Sequence, residues 1–513
     1  MSTTSSSSVP MSRGRQSYSA AASAQVLIGV TQAASDWGSR EILLPSSLTD
    51  WGMANLFLRV FGDEYRFVPE HGWYRWAGHR WQMDAKSKAI TNSVFQMAEQ
   101  MPCPDPRENA TIRFSDRELA RHRKKSLSIA GARALIATAE SLPEFLLDAA
   151  ELDADPYALC TPNGIVNLRT GGLLEPSRDQ AHTRSTTVGP SRMATPTWDK
   201  FLIDTFGDDA EGRAMITYLQ RLCGYSISGD VDAQIMPFLF GEGQNGKSVL
   251  VAVLLAILGD YADTAPPNFL MAPLYPDHPT EMADLQGRRL VFCSEIDPGA
   301  KFDEAKLKLL TGGDRIKARR MRQDFFSFRP THKPWLIGNH RPTVETGGYS
   351  FWRRMRIIMF ARTVRDQDVV ENLATKMISN EGPGILQWLI DGAVAYFDGA
   401  DRKLVGPDCV RLATQDYEES EDSVGQFVRE WCVLGPHNAY RVEQAQLRRA
   451  YEAWCVTAGM RPVPVREFGN AVRRLARMKS AKDMVKSNGR RHYVGIGLAE
   501  ENRHEHDAAG ATG

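Results

Sequence analysis

The run Gly241-Glu-Gly-Gln-Asn-Gly-Lys-Ser248 constrains this chain more than any other stretch. It fits the pattern GxxxxGK[ST]. The apolar MPFLF before it reads as a strand, and the apolar run Val249 to Leu258 after it reads as a buried helix. Strand, Gly-rich turn and helix in that register form a phosphate cradle. The glycines let successive backbone N–H groups turn inward, and the helix N-terminus adds positive potential at the same point. Gly241, Glu242, Gly243, Gln244, Asn245 and Gly246 then form the wall. Lys247 brings charge to the β- and γ-phosphates, and Ser248 offers a hydroxyl to Mg²⁺. ATP and Mg²⁺ are the expected cofactors. A chance Gly-rich turn is the plain alternative, and it does not explain the alignment of all three parts.

A phosphate cradle implies binding; hydrolysis needs an acid at the end of another core strand. Arg289-Leu-Val-Phe-Cys-Ser-Glu-Ile-Asp297 supplies a buried strand followed by Glu295 and Asp297. A carboxylate there orients the metal shell and takes a proton from the attacking water. Ser294-Glu295 stands where an Asp-Glu doublet is usual, which makes Glu295 the preferred base. Ser248, Glu295 and Asp297 are the candidate metal ligands. Further on, KPWLIGNHRP gives another strand ending at Asn339, which is placed to hold the water or sense the γ-phosphate. Arg353 and Arg354 precede the apolar IIMFA, and either can be an arginine presented to a neighbouring subunit's nucleotide.

Between these parts lies LKLLTGGDRIKARRMRQDFFSF. Its alternation reads as a hairpin with Lys317, Arg319, Arg320 and Arg322 near the tip. These residues are expected to contact a DNA backbone; a solvated edge strand protected by charge is the alternative. Near the C-terminus, REFGNAVRRLARM puts Phe468, Val472 and Leu475 on one helical face with arginines opposite. KSNGRRHYVGIGL reads as a turn and wing strand, so a winged-helix unit is expected. Arg473, Arg474, Arg477, Arg490 and Arg491 are its candidate phosphate contacts, against a merely solubilising face.

The formal net charge of the 513 residues is zero, so any nucleic-acid surface must come from such local clusters. None of the seven cysteines pairs as CxxC, which fits reduced thiols in a cytosolic protein rather than a disulfide framework or zinc ribbon. Ser23 and Gln25 interrupt the Ala-rich N-terminal run, which argues against a signal peptide, and the longest apolar run is too short to span a bilayer. The organisation expected is a disordered tail over 1–40, an aromatic module over 41–195, an ATPase core over 196–365, a helical connection over 366–420, the winged-helix unit over 421–498 and a polar tail over 499–513. YRFVPEHGWYRWAGHRW reads as a small antiparallel meander whose aromatics are core more readily than base platforms. Arg117, Arg121, Arg123, Lys124 and Lys125 read as a solvated helix face. Asp153-Ala-Asp155 resembles a polymerase acid pair only superficially.

The set and order of TPNGIVNLRTGGLL, YLQRLCGYSISGD, FLFGEGQNGKS, RLVFCSEID, KLLTGGDRIKAR, IGNHRP and FWRRM resemble the superfamily 3 helicases, an AAA+ branch, in the form found in phage and plasmid primase–helicases and in large DNA viruses. The resemblance implies an α/β P-loop AAA+ core between an N-terminal α+β module and the winged helix. It also implies a ring, usually a hexamer, moving 3′ to 5′ on single-stranded DNA. It supports Lys247 and Ser248 at the phosphates and metal, Glu295 at the acidic motif, Asn339 as sensor, and Arg353 or Arg354 as finger. The expectation is an ATP-hydrolysing replicative DNA helicase, phage or plasmid encoded and cytoplasmic. It would act on single-stranded and forked DNA with a separate primase or polymerase, and with no membrane partner. A DNA-packaging or loading ATPase that does not unwind, and a nucleotide-switched origin-binding protein, are the competing functions.

Overall fold

The computed structural model describes residues 44–101, 114–272, 279–294, 297, 299–321, 324–345, 347–365, 367, 369–399, 402–436, 439–478, 484–487 and 489–499. The expected N-terminal tail and nearly all of the C-terminal one lie outside them. So do Glu295 and Arg322. The chain forms two compact units, Met1–Arg75 with Met83–Ala149, and Trp76–Gln82 with Ala150–Gly513.

In the first unit, Thr49 caps helix α1 (Asp50–Phe61) by accepting from Gly52 N. Strands β1 (Tyr65–Val68) and β2 (Gly72–Trp76) pair antiparallel; β3 (Trp81–Met83) follows in sequence and falls mostly in the second unit. Helices α2 (Lys88–Glu99), α3 (Asp116–Ser126) and α4 (Ile129–Ala139) complete the first unit. The expected meander is therefore present. Phe57, Phe61, Tyr65 and Trp73 are buried, with ring centroids 4.8 Å apart for Phe57–Phe61 and 5.2 Å for Trp73–Phe145. These aromatics are core: Phe57 and Phe61 from α1 and Tyr65 and Trp73 from the strands share one apolar cluster. On α3, Leu119 is buried while Arg117, Arg121, Lys124 and Lys125 are exposed.

The second unit opens with the antiparallel strands β4 (Ala158–Thr161), β5 (Gly164–Asn167) and β6 (Leu173–Leu174). Gly171, in the β5–β6 turn, has φ +72°. Helices α5 (Pro196–Phe206) and α6 (Ala210–Ser226) lead to β7 (Met236–Phe240) and α7 (Lys247–Leu258). Then come β8 (Ala262–Thr264), α8 (Pro279–Ala283), β9 (Leu290–Cys293), α9 (Glu304–Thr311), the hairpin β10 (Ile316–Arg319) and β11 (Phe325–Phe328), β12 (Lys333–Gly338), α10 (Tyr349–Trp352) and β13 (Met355–Met359). Five of these strands form one sheet in the order β13-β7-β12-β9-β8, every neighbouring pair parallel.

Both faces of that sheet are covered, as parallel sheets require. Leu239, Leu290, Phe292, Trp335 and Ile358 join one apolar cluster; Phe238, Val291, Cys293, Leu336 and Ile357 join the other. The first cluster includes Met377, Leu386, Leu389 and Tyr396 of α11 (Leu373–Asp398), which packs on α6. Stretch 366–420, read as a helical connection, contributes this helix to the core. It ends in α12 (Asp408–Glu421).

The last part folds on its own apolar cluster, which holds Phe427, Leu447, Tyr451, Phe468, Val472 and Tyr493. Its elements are α13 (Ser423–Trp431), β14 (Cys432–Leu434), β15 (Arg441–Glu443), α14 (Gln444–Thr457), α15 (Val465–Leu475), β16 (Val485–Ser487), β17 (Arg490–Val494) and β18 (Ile496–Leu498). The six described cysteines are free. Among the described residues, no helix is long and apolar enough to cross a membrane.

Candidate functional site

The loop between β7 and α7 requires glycine at two of its positions. Gly246 has φ +90°, and a Cβ on it would come within 2.9 Å of the Phe201 ring. A Cβ on Gly241 would come within 2.4 Å of the Phe360 carbonyl oxygen. The loop is also tied from outside: Asn245 Nδ2 donates to Phe360 O at 2.9 Å, and Val364 N donates to Gln244 O at 2.8 Å. Lys247 is only 6% exposed. Its Nζ donates to Gly241 O at 2.6 Å and to Asn245 Oδ1 at 3.0 Å, so the ammonium is held inside the loop. Burial pulls its pKa below the ordinary lysine value. Ser248, at the first turn of α7, is exposed.

Sheet register brings the other candidates to the same edge. Gly338 pairs with Phe240, and Leu336 with Cys293. Gly241, Asn339 and Ser294 therefore all leave the sheet at its carboxyl edge, where open parallel sheets bind ligands. Asn339 is exposed. Asp297 accepts from Asn268 Nδ2 at 2.7 Å, and its own N–H donates to Asn268 Oδ1 at 3.3 Å, which anchors it to the segment after β8.

Arg353 and Arg354 sit at the opposite, amino edge, where Met236 N donates to Arg354 O at 2.7 Å. The structure separates them. Arg354 is 7% exposed; its Nε donates to Thr311 Oγ1 at 2.9 Å and its Nη1 to Ser350 O. Arg353 is exposed and donates to Gln234 Oε1. The length of β7, about 16 Å for five residues, separates them from their own chain's loop.

Sequence reasoning passed over two cations at the carboxyl edge. Arg341, two residues past Asn339, lies 5.0 Å from the Phe240 ring centroid and 5.3 Å from that of Tyr417, and bonds Asp416 at 2.8 Å. Arg362 follows β13 and approaches Gly207 closely enough that a Cβ there would sit 2.7 Å from its Nη2. The signal was the short distance of each from a strand end; the packing partners come from distant segments.

The basic groups divide as well. In the hairpin, Lys317 is exposed and Arg319 half-buried, whereas Arg320 donates to Gln286 Oε1 at 2.7 Å. In the C-terminal unit Arg474, Arg477 and Arg491 are exposed, Arg473 bonds Asn470, and Arg490 pairs with Glu443 at 2.8 Å.

Residues 54–207 match the family described as D5 N terminal like, and residues 239–354 match a family of unknown function. A putative helicase of Acanthamoeba polyphaga mimivirus is 24% identical over 257 residues, 47% of this chain and 27% of the relative. A putative primase of African swine fever virus is 20% identical over 326 residues, 59% of this chain and 34% of its own. A putative helicase of Invertebrate iridescent virus 6 is 28% identical over 160 residues, 29% of this chain and 16% of its own. The chain thus spans about a third or less of these curated relatives. The apo C-terminal region of NrS-1 aligns with 14% identity and a TM-score of 0.37 over 61% of this chain and 78% of that one.

The fold is that of a mixed α/β protein built on a parallel sheet, with its candidate site at the strands' carboxyl ends. In its D5 N-terminal-like segment and in its viral relatives, the chain is similar to helicase and primase proteins of large DNA viruses.

Proposed function

We propose that this chain is the motor of a replicative DNA helicase, a P-loop AAA+ enzyme that hydrolyses ATP with Mg²⁺ and moves on single-stranded DNA as a ring. One observation carries the reading. The glycine loop, the segment after β9 and Asn339 meet at one edge of one parallel sheet, while an exposed arginine lies at the other. The loop fits a polyphosphate: its glycines admit close backbone approach, its lysine is buried at the centre, and a twelve-residue helix starts there.

Mg²⁺-ATP, when bound, supplies the labile γ-phosphoryl group and the free energy of its transfer. The chain's own groups do the rest. Lys247 and the loop amides bind the phosphates, and Ser248 orients the metal shell. Glu295, which follows β9 in sequence, takes the proton from water, with Asn339 positioning that water and Asp297 holding its segment to Asn268. Arg353 reaches a neighbouring subunit's site, and Arg354 buttresses it from below. The last unit, with β15, α14, α15 and the β16–β17 pair in succession, reads as a winged helix that docks on duplex DNA.

The relatives named as primases favour a second reading of the context: this chain supplies the motor beside a primase held elsewhere. ATP turnover with and without single-stranded DNA tests the site. Turnover should rise with DNA and vanish in Lys247→Ala with the fold kept. Wild-type turnover in that variant would overturn the assignment.

A further inference from the structure

The β10–β11 hairpin has two unlike faces. Ile316, Ala318 and Phe328 point into an apolar cluster, with Phe326 packed against it. The outer face pairs Lys317 with Ser327 and Arg319 with Phe325. Phe325 remains 53% exposed, with Lys317 Nζ 4.8 Å and Arg319 Cζ 5.2 Å from its ring centroid. Arg320 belongs to the other side: it lies over Phe326 at 4.9 Å and bonds Gln286. Leaving a phenylalanine in water forgoes the stabilisation that burial would give it. Three aromatics stand on β11, and only this one is turned outward, with both cations of β10 lying over its ring.

We propose that Phe325 is a stacking platform for one unpaired base of single-stranded nucleic acid, with Lys317 and Arg319 serving the phosphates on either side. The proposal rests on the DNA reading above and adds to it a contact with the bases. A ring face accepts any base, so the platform is tolerant of sequence. A paired base keeps its faces inside the duplex stack, so the platform favours single over double strands. The long stems of Lys317 and Arg319 let their charged ends turn to the backbone while their apolar parts flank the ring.

The test is binding of the full chain to labelled oligo-dT, to an abasic oligomer of equal length and to oligo-U. Wild type is compared with Phe325→Ala, Phe325→Trp and Lys317→Ala, each checked for unchanged thermal melting. Phe325→Ala should weaken oligo-dT and oligo-U about 5- to 150-fold and leave the abasic oligomer unchanged; loss on only one of them would tie the platform to that sugar. Phe325→Trp should restore binding. Lys317→Ala should weaken all three alike and lower the salt slope by about 1. Equal loss of base-bearing and abasic oligomers in Phe325→Ala, without recovery by Trp, would overturn the stacking role. So would no loss in Phe325→Ala, and if Lys317→Ala still weakens binding the DNA reading survives. Failure of the wild type to bind any oligomer would remove the DNA reading itself.

Discussion

Arg353 lies exposed at the amino edge of the sheet, and its neighbour Arg354 is locked to Thr311 and Ser350. If Arg353 is the finger, Arg353→Ala should cut turnover on the order of 10³- to 10⁵-fold with melting unchanged. Arg354→Ala should instead cost roughly 1–3 kcal/mol of stability by stranding buried partners. Urea unfolding beside ATPase rates reads both; the reverse pattern would exchange the two roles. The pair could not be separated from sequence, because burial is set by partners on α9 and α10. Lys247, by contrast, was legible as a candidate from spacing, since the glycine pattern around it is local in sequence.

His332 offers a second test at this scale. It is 1% exposed, neither ring nitrogen has a hydrogen-bond partner among the described residues, and burial, aided by the Lys333 charge, lowers its pKa to about 3. Its folded pKa lies below the ordinary value of 6.5, so the fold favours the neutral ring. That contribution is fully present above pH 6.5 and is lost as pH falls from there toward 3, by a few kcal/mol at most. The urea midpoint of His332→Leu should therefore fall less than wild type between pH 7 and 4. Parallel curves would contradict the assignment.

Among the elements, α6 and α11 meet through glycine. A Cβ on Gly224 would come within 2.1 Å of Ala393 N, and one on Gly392 within 2.1 Å of Gln220 O. Gly224→Ala should destabilise by about 1–3 kcal/mol through overpacking, measured by urea unfolding; wild-type stability would show that the helices can part without cost. Stretch 366–420 reads from sequence as a helical connection, and the structure adds that its first helix packs into the core. The α11 sequence shows an apolar face, but nothing in it says that the face meets a helix more than 150 residues earlier. Strand β7, helix α7, the meander and the hairpin were legible because their periods and turn residues are local. The split of the hairpin into an inward Arg320 and an outward Lys317 and Arg319 was not, because Gln286 and Phe326 decide it.

For the whole molecule, if Arg353 is the finger, its distance from its own chain's loop makes a complete site depend on two copies of the chain. Mixing Arg353→Ala with Lys247→Ala should then restore part of the ATPase that neither has alone, since some interfaces carry both intact residues. Proven mixed assemblies without recovery would count against a finger acting between subunits. Sequence order showed the motifs and the resemblance they carry. It did not show that they occupy opposite edges of one sheet, which follows from the parallel pairing of β13, β7, β12 and β9. The central claim is that this geometry turns ATP hydrolysis into strand separation. Displacement of the labelled strand from a forked DNA, with ATP and Mg²⁺, measures it directly. Wild type should release the strand and Lys247→Ala should release none. A wild-type protein that assembles and hydrolyses ATP on the fork yet leaves the duplex intact would contradict the account.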